Sequence, residues 1–134
     1  MPHFFDTNTL LHFASREVDK ADRISDLLER GGWISVQVLN EATRVLRHKW
    51  NYGWEPVHQV LAEFRSLLQI VSLDIETHSL GLALAERYKI AVFDSMIVAA
   101  ALRCQCDTLY SEDMHHGLVV DGRLTIVNPY RDAA

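Results

Sequence analysis

Short apolar runs alternate along the chain with longer segments in which apolar residues recur at helical spacing. The runs predict five β-strands, at residues 3–5, 33–36, 70–73, 108–110 and 124–127. Strands that alternate with helices are typical of a parallel sheet covered by helices. A length of 134 residues fits one domain. We therefore predict an α/β fold, with one domain at residues 1–134 built around a central parallel sheet of about five strands.

The helical segments have both a clear period and clear ends. Helices are predicted over 37–48, 76–88 and 94–103, and another begins at Glu55-Pro56, where the proline occupies a first-turn position that needs no N–H. The apolar face of that helix consists of Val57, Val60, Leu61, Phe64, Leu67 and Leu68. The Gly31-Gly32 pair stops a further helix before the second strand. Helices therefore separate the first three predicted strands.

Composition narrows the class of protein further. Apolar runs end in charge well short of the roughly 20 residues that a membrane span needs, and the N-terminus lacks the basic and apolar regions of a signal peptide. We expect a cytoplasmic protein with no membrane partner, in which Cys104 and Cys106 are free thiols. The net charge of −5 argues against binding nucleic acid by general electrostatics alone. An acidic pocket that holds cations would reconcile this charge with a polyanionic substrate.

Acidic residues follow the predicted strands or lie early in the helices behind them. They are Asp6 after the first strand, Glu41 in the helix after the second, Asp94 after the apolar residues 91–93, and Glu112 and Asp113 after the fourth strand. Ligands of an open parallel sheet bind beyond the carboxyl ends of its strands. Carboxylates gathered there repel one another by about 4 kcal/mol per pair at about 4 Å and an effective dielectric of about 20. We therefore predict a site for Mg²⁺ or Mn²⁺, hard ions that prefer oxygen ligands.

Each acid also has a purely structural interpretation. Asp6 and Asp94 stand where helix N-caps stand, and for a single residue the cap is the commoner role. Glu41 could pair with Arg44 three residues on, and Asp113 could shape a turn. These interpretations explain each acid separately. They do not explain why the acids share one edge of the predicted sheet beside apolar helix faces.

Four blocks of the sequence carry a family resemblance. The blocks are FFDTNTLL from Phe4, SVQVLNEATRVL from Ser35, VFDSMIVAAAL from Val92, and LYSEDMHHG with VNPY near the end. Together they resemble the PIN-domain ribonucleases, in particular the VapC-type toxins of bacterial toxin–antitoxin pairs. The resemblance implies a three-layer α/β/α PIN-like fold and a Mg²⁺- or Mn²⁺-dependent endoribonuclease. It also implies a homodimer silenced by a cognate antitoxin, with RNA substrates such as transfer RNA.

The resemblance assigns roles to the acids residue by residue. Asp6, Glu41, Asp94 and Asp113 match the four catalytic acids, in that order. Asp6 and Asp94 would be the main metal ligands, while the other two would bind the metal through water or position the nucleophile. Glu112 stands directly before Asp113 and is an alternative fourth acid. The choice between these two neighbours stays open.

Neighbouring polar and aromatic residues are candidates for the surroundings of this site. The resemblance matches Thr7, Asn8 and Ser95 to polar positions that would hydrogen-bond the ligand carboxylates. Positive charge that could hold RNA phosphates, or simply favour the C-terminal end of a helix, is carried by Arg44, Arg47, His48 and Lys49. The aromatic residues that could stack on bases, or pack in the core or a dimer contact, are Trp50, Tyr52 and Trp54.

Other functions share part of this pattern. A haloacid-dehalogenase-like phosphatase places an Asp after its first strand in a D-x-D-x-T motif, but here Asn8 replaces the second acid of that motif. No lysine follows a late strand to hold a phosphoryl group, which also weighs against a two-component receiver domain. A catalytically inactive PIN-like domain would bind RNA or a protein partner with the same fold. The presence of all four acids weighs against that alternative.

Overall fold

Six strands form one sheet in the computed structural model of the chain, which describes residues 2–15 and 17–131. The strands are β1 (His3–Phe5), β2 (Trp33–Ser35), β3 (Gln69–Val71), β4 (Thr108–Tyr110), β5 (Val119–Val120) and β6 (Leu124–Val127). Their order across the sheet is β3-β2-β1-β4-β6-β5. Neighbouring strands are parallel, except that β5 runs antiparallel to β6 at the edge. The predicted parallel sheet is confirmed, with one short antiparallel strand added.

Helices cover both faces of the sheet and complete a three-layer α/β/α architecture. They are α1 (Thr7–Ala14), α2 (Val18–Leu28), α3 (Val36–Arg44), α4 (Trp54–Leu67), α5 (Ile75–Tyr88) and α6 (Val92–Arg103). The predicted α/β fold is therefore confirmed. Within residues 2–15 and 17–131, no helix has the length and apolar character that crossing a membrane requires.

The most deeply buried helix is α6, and its position depends on a glycine. All residues of α6 from Ser95 to Leu102 are buried, and the helix packs against α5, β2 and β4. A Cβ atom at Gly81 of α5 would lie 2.7 Å from the sulfur of Met96, far inside van der Waals contact. Gly81 therefore permits the close approach of these two helices. This packing fixes the N-terminal turn of α6, where Asp94 lies.

Three strands have their predicted bounds, and the other differences are local. The predicted second and third strands extend too far, because Val36 already begins α3 and residues 72–74 lead into α5. The two residues of β5 were not predicted, since so short a pair shows no alternation. Cys104 and Cys106 are free thiols, as predicted.

The predicted helix at 37–48 ends in a π-helical turn. Its first part is α3, whose N-terminus is capped by Ser35, because the serine hydroxyl accepts the N–H of Val38. The next five residues, Val45–Lys49, form the π-helical turn, which closes with a bond from the Trp50 N–H to the Val45 carbonyl. A π-turn places residues five apart above one another, so this turn changes which side chains share a face.

Candidate active site

The order of the strands creates a crevice between β1 and β4. The chain runs outward from β1 to β2 and β3, then crosses to β4 on the opposite side of β1. At such a switch point the connections leave in opposite directions and open a crevice beyond the carboxyl ends of the strands. A cavity of about 730 Å³ lies there. Its lining includes all four predicted catalytic acids, Asp6, Glu41, Asp94 and Asp113.

Asp6 directly follows β1 and is both a helix cap and a buried acid. One carboxylate oxygen accepts the N–H of Thr7 at 2.7 Å, and the other accepts the hydroxyl of Ser111 at 2.7 Å. Its side chain is buried, with a residue exposure of 4%. Burial raises the pKa of Asp6 to about 7, although both hydrogen bonds oppose this effect; the charges of Asp94 and Glu41 raise it further. The site therefore concentrates negative charge where water cannot screen it.

Glu41 lies on α3 and reaches across to the N-terminus of α1. Its Oε1 accepts the hydroxyl of Thr7 at 2.7 Å, which is the carboxylate contact predicted for that threonine. Its Oε2 accepts the amide of Gln37, one helical turn earlier, at 3.1 Å. These two bonds hold Glu41 at the cavity in place of the surface pair with Arg44 that its spacing also allowed.

Asp94 lies in the first turn of α6 and is not its cap. The N-cap residue is Ala91, because the helix begins at Val92, two residues earlier than the acid. The capping interpretation of Asp94 is therefore wrong, and its carboxylate is left for other partners. Partial burial raises the pKa of Asp94, and the charges of Glu41 and Asp113 raise it further. The shift indicates that three carboxylates act on one another across the cavity.

Glu112 and Asp113 differ sharply in their surroundings. Glu112 accepts hydrogen bonds from His12 at 2.7 Å and from Lys20 at 2.6 Å. Burial alone would raise the pKa of Glu112, but these bonds and charges outweigh burial and lower it. Asp113 is exposed at the cavity and acts electrostatically on Asp94. The structure thus gives Glu112 a structural partner on each side and leaves Asp113 facing the other acids.

Two of the predicted supporting residues contact other groups. Ser95 donates its hydroxyl to the carbonyl of Val92 at 2.7 Å, within its own helix. Asn8 accepts the N–H of Glu112 through its side-chain oxygen at 3.4 Å, which helps to fix the loop after β4. Neither residue therefore supports a carboxylate side chain as predicted. Ser95 contributes instead to the start of α6, and Asn8 to the loop that carries Asp113.

The residues with predicted RNA contacts divide into two sets. Arg44 and Lys49 both line the cavity, because the π-helical turn brings these two residues, five apart, to one side. Arg47 donates to the Tyr52 carbonyl at 2.9 Å and lies over the ring of Trp54 at 4.3 Å. It therefore stabilises the following loop. His48 is exposed and lies outside the cavity lining.

The aromatic residues near the π-helical turn have different environments. Trp50 lines the cavity, and its ring meets that of Tyr52 edge-on at a centroid distance of 5.6 Å. Both are partly buried against the core. Trp54 is exposed over 57% of its surface.

Three residues of the site were missed by the sequence analysis. Ser111 bonds Asp6, Gln37 bonds Glu41, and Phe93 lines the cavity beside Asp94 while 67% exposed. Signals for the first two are present in the sequence. Ser111 is the residue directly after β4, and Gln37 precedes Glu41 by one helical turn. The exposure of Phe93 has no such signal, since an aromatic residue in an apolar run usually predicts burial.

The donor chemistry of the cavity fits a hard divalent cation. The four acids offer only oxygen ligands, and Asp6 and Asp94 carry pKa values raised by burial and by their acidic neighbours. Across residues 2–15 and 17–131, no three His, Cys, Asp or Glu side chains lie in an arrangement that would enclose a metal ion. Mg²⁺ commonly takes one or two carboxylates and keeps several waters. Carboxylates spaced around an open cavity suit that mode of binding.

Comparisons with known proteins agree with this architecture. A family model for the PIN domain matches residues 3–117. A toxin–antitoxin complex from Klebsiella pneumoniae is similar with a TM-score of 0.72 and 22% identity, covering 97% of this chain and 99% of that chain. VapC20 from Mycobacterium tuberculosis, a sarcin–ricin loop cleaving toxin, gives 0.68 and 13%, covering 83% and 89%. VapBC2 from Rickettsia felis, bound to a promoter DNA fragment, gives 0.65 and 20%, covering 84% and 89%. A search of curated proteins finds no match.

Proposed function

The chain belongs to the PIN-domain family, and from that premise we propose that it is a metal-dependent endoribonuclease, the toxin of a toxin–antitoxin pair. One observation carries the proposal: Asp6, Glu41, Asp94 and Asp113 line a single cavity at the switch point of the sheet. A set of carboxylates with raised pKa values around a cleft is the arrangement expected of a site that binds cations and acts on phosphodiesters. The solved toxin structures of the same fold support this reading.

Each acid has a defined part in the proposed mechanism. Asp6 and Asp94 bind the cation directly; Asp6 has two oxygens with about four acceptor positions, and its two hydrogen bonds leave the others free. When bound, Mg²⁺ or Mn²⁺ supplies the activation of the attacking water and the stabilisation of charge on the phosphate. Glu41, fixed by Thr7 and Gln37, and Asp113, on the opposite wall, orient that water toward the phosphorus atom.

Positive and aromatic side chains around the acids are suited to hold the RNA strand. Arg44 and Lys49 share the cavity wall with the acids and would contact the phosphates beside the scissile bond. Phe93 and Trp50 also line this wall, and such rings stack on unpaired bases. We therefore propose an unpaired RNA segment as the substrate, in a loop of a structured RNA such as transfer RNA.

The proposed partner is an antitoxin that places a basic side chain among the acids. An arginine from the partner would satisfy carboxylates that otherwise repel one another, and would occupy the position of the cation. Complexes of toxin with antitoxin are known for similar folds. A homodimer belongs to the same proposal. The haloacid-dehalogenase-like phosphatase is set aside, because the chain belongs to another family.

Incubation of the purified chain with labelled total RNA tests the proposed reaction. With Mn²⁺ or Mg²⁺ we expect cleavage at discrete positions, and with excess EDTA we expect none. Cleavage that persists in EDTA would contradict metal dependence. If a folded protein with bound metal cut no RNA, the inactive PIN-like domain that binds RNA or a partner would become the better description.

Mn²⁺ should also stabilise the folded chain. A ligand present at about 100 times its Kd and absent from the unfolded state adds about 2.7 kcal/mol, which corresponds to roughly 10 °C in Tm for a domain of this size. Thermal unfolding with Mn²⁺ and with EDTA measures the shift. The surface variant Asp22→Asn serves as the matched control and should keep the full shift. An unchanged Tm in the unmodified chain would rule out a cation site of useful affinity.

A further inference from the structure

A second cavity lies at the same edge of the sheet and is basic rather than acidic. It has a volume of about 730 Å³, large enough for a nucleotide or a stretch of RNA backbone. Its wall is formed by α2, the end of β4 and the segment that follows β6. The charged and polar residues that define it are Arg23, Arg30, Arg131, His116, Asn128 and the single acid Asp26. We call this cavity the arginine cleft.

The concentration of positive charge in this cleft is unusual for the chain. The whole chain has a net charge of −5, yet the cleft holds three arginines against one aspartate. A favourable interaction with a helix C-terminus accounts only for Arg30, which stands just beyond α2. Arg23 lies in the middle of α2, and Arg131 comes from a different segment. Across residues 2–15 and 17–131, no ion pair joins any of these arginines to a carboxylate.

Hydrogen bonds fix two of the donors in the cleft. Arg23 donates its Nε–H to the Pro129 carbonyl at 2.9 Å, which holds the guanidinium against the segment after β6. His116 accepts the backbone N–H of Asn128 through Nδ1 at 2.9 Å. The proton of the neutral ring is therefore on Nε2, where it can be donated to a ligand. Guanidinium groups with a further N–H donor match the oxygens of a phosphate.

The arginine cleft and the acidic cavity are neighbours along α2. Lys20, near the start of α2, bonds Glu112 at the acidic cavity, while Arg30 follows the other end of the helix. Ten residues of helix separate them by about 15 Å, the length of a few nucleotides. Tyr130 lies between the two cavities: its ring packs over Lys20 at 5.0 Å, and its neighbour Arg131 lines the cleft.

We infer that the arginine cleft binds the phosphate backbone of the RNA a few nucleotides away from the cut. The inference rests on the proposed ribonuclease function, because a strand held at the acids would reach the cleft along α2. Backbone contacts of this kind position the nucleic acid without reading its sequence. The cleft would therefore raise the affinity for longer RNAs and would leave the chemistry at the acids unchanged.

Charge reversal in the cleft tests this inference through binding alone. The probe is a fluorescein-labelled, single-stranded RNA of about 20 nucleotides, measured by anisotropy with the chain carrying Asp94→Asn, so that the RNA is not consumed. Adding Arg30→Glu and Arg131→Glu should weaken binding at least about tenfold at moderate salt. The slope of log K against log salt should fall in magnitude by about 1.4, or about 0.7 for each lost contact with a single strand. Both arginines are exposed, so the fold should be retained.

A matched pair of exposed arginines provides the control. Arg65→Glu with Arg123→Glu makes the same change in net charge on α4 and on the turn between β5 and β6. This control should keep nearly the full affinity. The milder variant Arg30→Gln should give an intermediate loss of affinity. Equal losses in the cleft and control variants would overturn the inference, because binding would then follow net charge alone.

The remaining outcomes separate this inference from the proposed function. If the cleft variant binds RNA normally but loses affinity for a labelled poly-glutamate peptide, the cleft serves an acidic protein segment and the inference is wrong. If the cleft variant loses RNA affinity and the unmodified chain cuts no RNA under any condition, the RNA site stands and the nuclease assignment fails. If the unmodified chain cuts RNA and the cleft variant binds it normally, the nuclease stands and the RNA site fails.

Discussion

Replacing Asp94 by Asn is expected to reduce RNA cleavage by about 10²- to 10³-fold or more, with little effect on folding. The large loss follows because Asp94 is a proposed direct ligand, and removing one preorganised charge from a catalytic site typically costs this much. The small effect on folding follows because Ala91 is the cap of α6 and Ser95 bonds its own helix. Asparagine keeps the size of the side chain and removes only its charge. Initial rates on labelled RNA at saturating Mn²⁺ measure the effect.

The control for this experiment is Asp22→Asn, the same chemical change at an exposed position on α2. Its cleavage rate should match that of the unmodified chain. Equal cleavage by the Asp94→Asn variant would contradict the assignment of the acidic cavity as the catalytic site, and would point to a contaminating nuclease. A comparison of metal binding by thermal shift separates the two causes of a rate loss. If Asp94 is a ligand, the Mn²⁺-induced shift falls together with the rate.

Replacing Asp6 by Asn should stabilise the metal-free chain at pH 8 while abolishing activity. The pKa of Asp6 is about 7 in the folded chain and 3.8 in its ordinary state. The folded chain therefore binds this proton more tightly than the unfolded chain, so stability decreases as the pH rises from about 4 to about 7. The full difference corresponds to about 4 kcal/mol, and it remains lost above pH 7. Asparagine is uncharged and avoids this cost.

Urea unfolding in EDTA at pH 4.5 and pH 8 measures this effect. The unmodified chain and the Asp6→Asn variant should differ little at the lower pH, and the variant should be more stable at the higher pH. Asparagine can still accept the Thr7 N–H as a helix cap, so local structure should persist. With saturating Mn²⁺ at pH 8 the order should reverse, because only the unmodified chain gains stability from the ion. A variant that is less stable at pH 8 in EDTA would show that burial of Asp6 is compensated without metal.

The sequence predicted the main strands and the acids for a common physical reason. Buried parallel strands are continuous apolar runs, and a polar residue at their carboxyl end marks the place where the chain leaves the core. This is why β1, β4 and β6 were placed correctly and why Asp6 and Asp113 were selected. The strand order explains the rest of the cavity. It follows from long-range pairing, which local patterns do not encode.

The errors have equally specific causes. Asp94 was read as a possible cap because it is the first polar residue after an apolar run, but Val92 and Phe93 belong to the helix and are exposed. Ser95 was assigned to a carboxylate, while its hydroxyl bonds a carbonyl three residues earlier. Side-chain partners depend on the rotation of each helix about its axis. That rotation is set by packing and not by residue type.

The π-helical turn after α3 makes the length of this segment matter more than its composition. A chain one residue shorter at 45–49 could close the turn as ordinary α-helix, and everything after it would rotate by about 100°. Lys49 would then leave the cavity wall that it shares with Arg44. In an alignment, such a relative would still present a lysine next to a one-residue gap. The gap, rather than any substitution, would record the loss of a positive charge from the site.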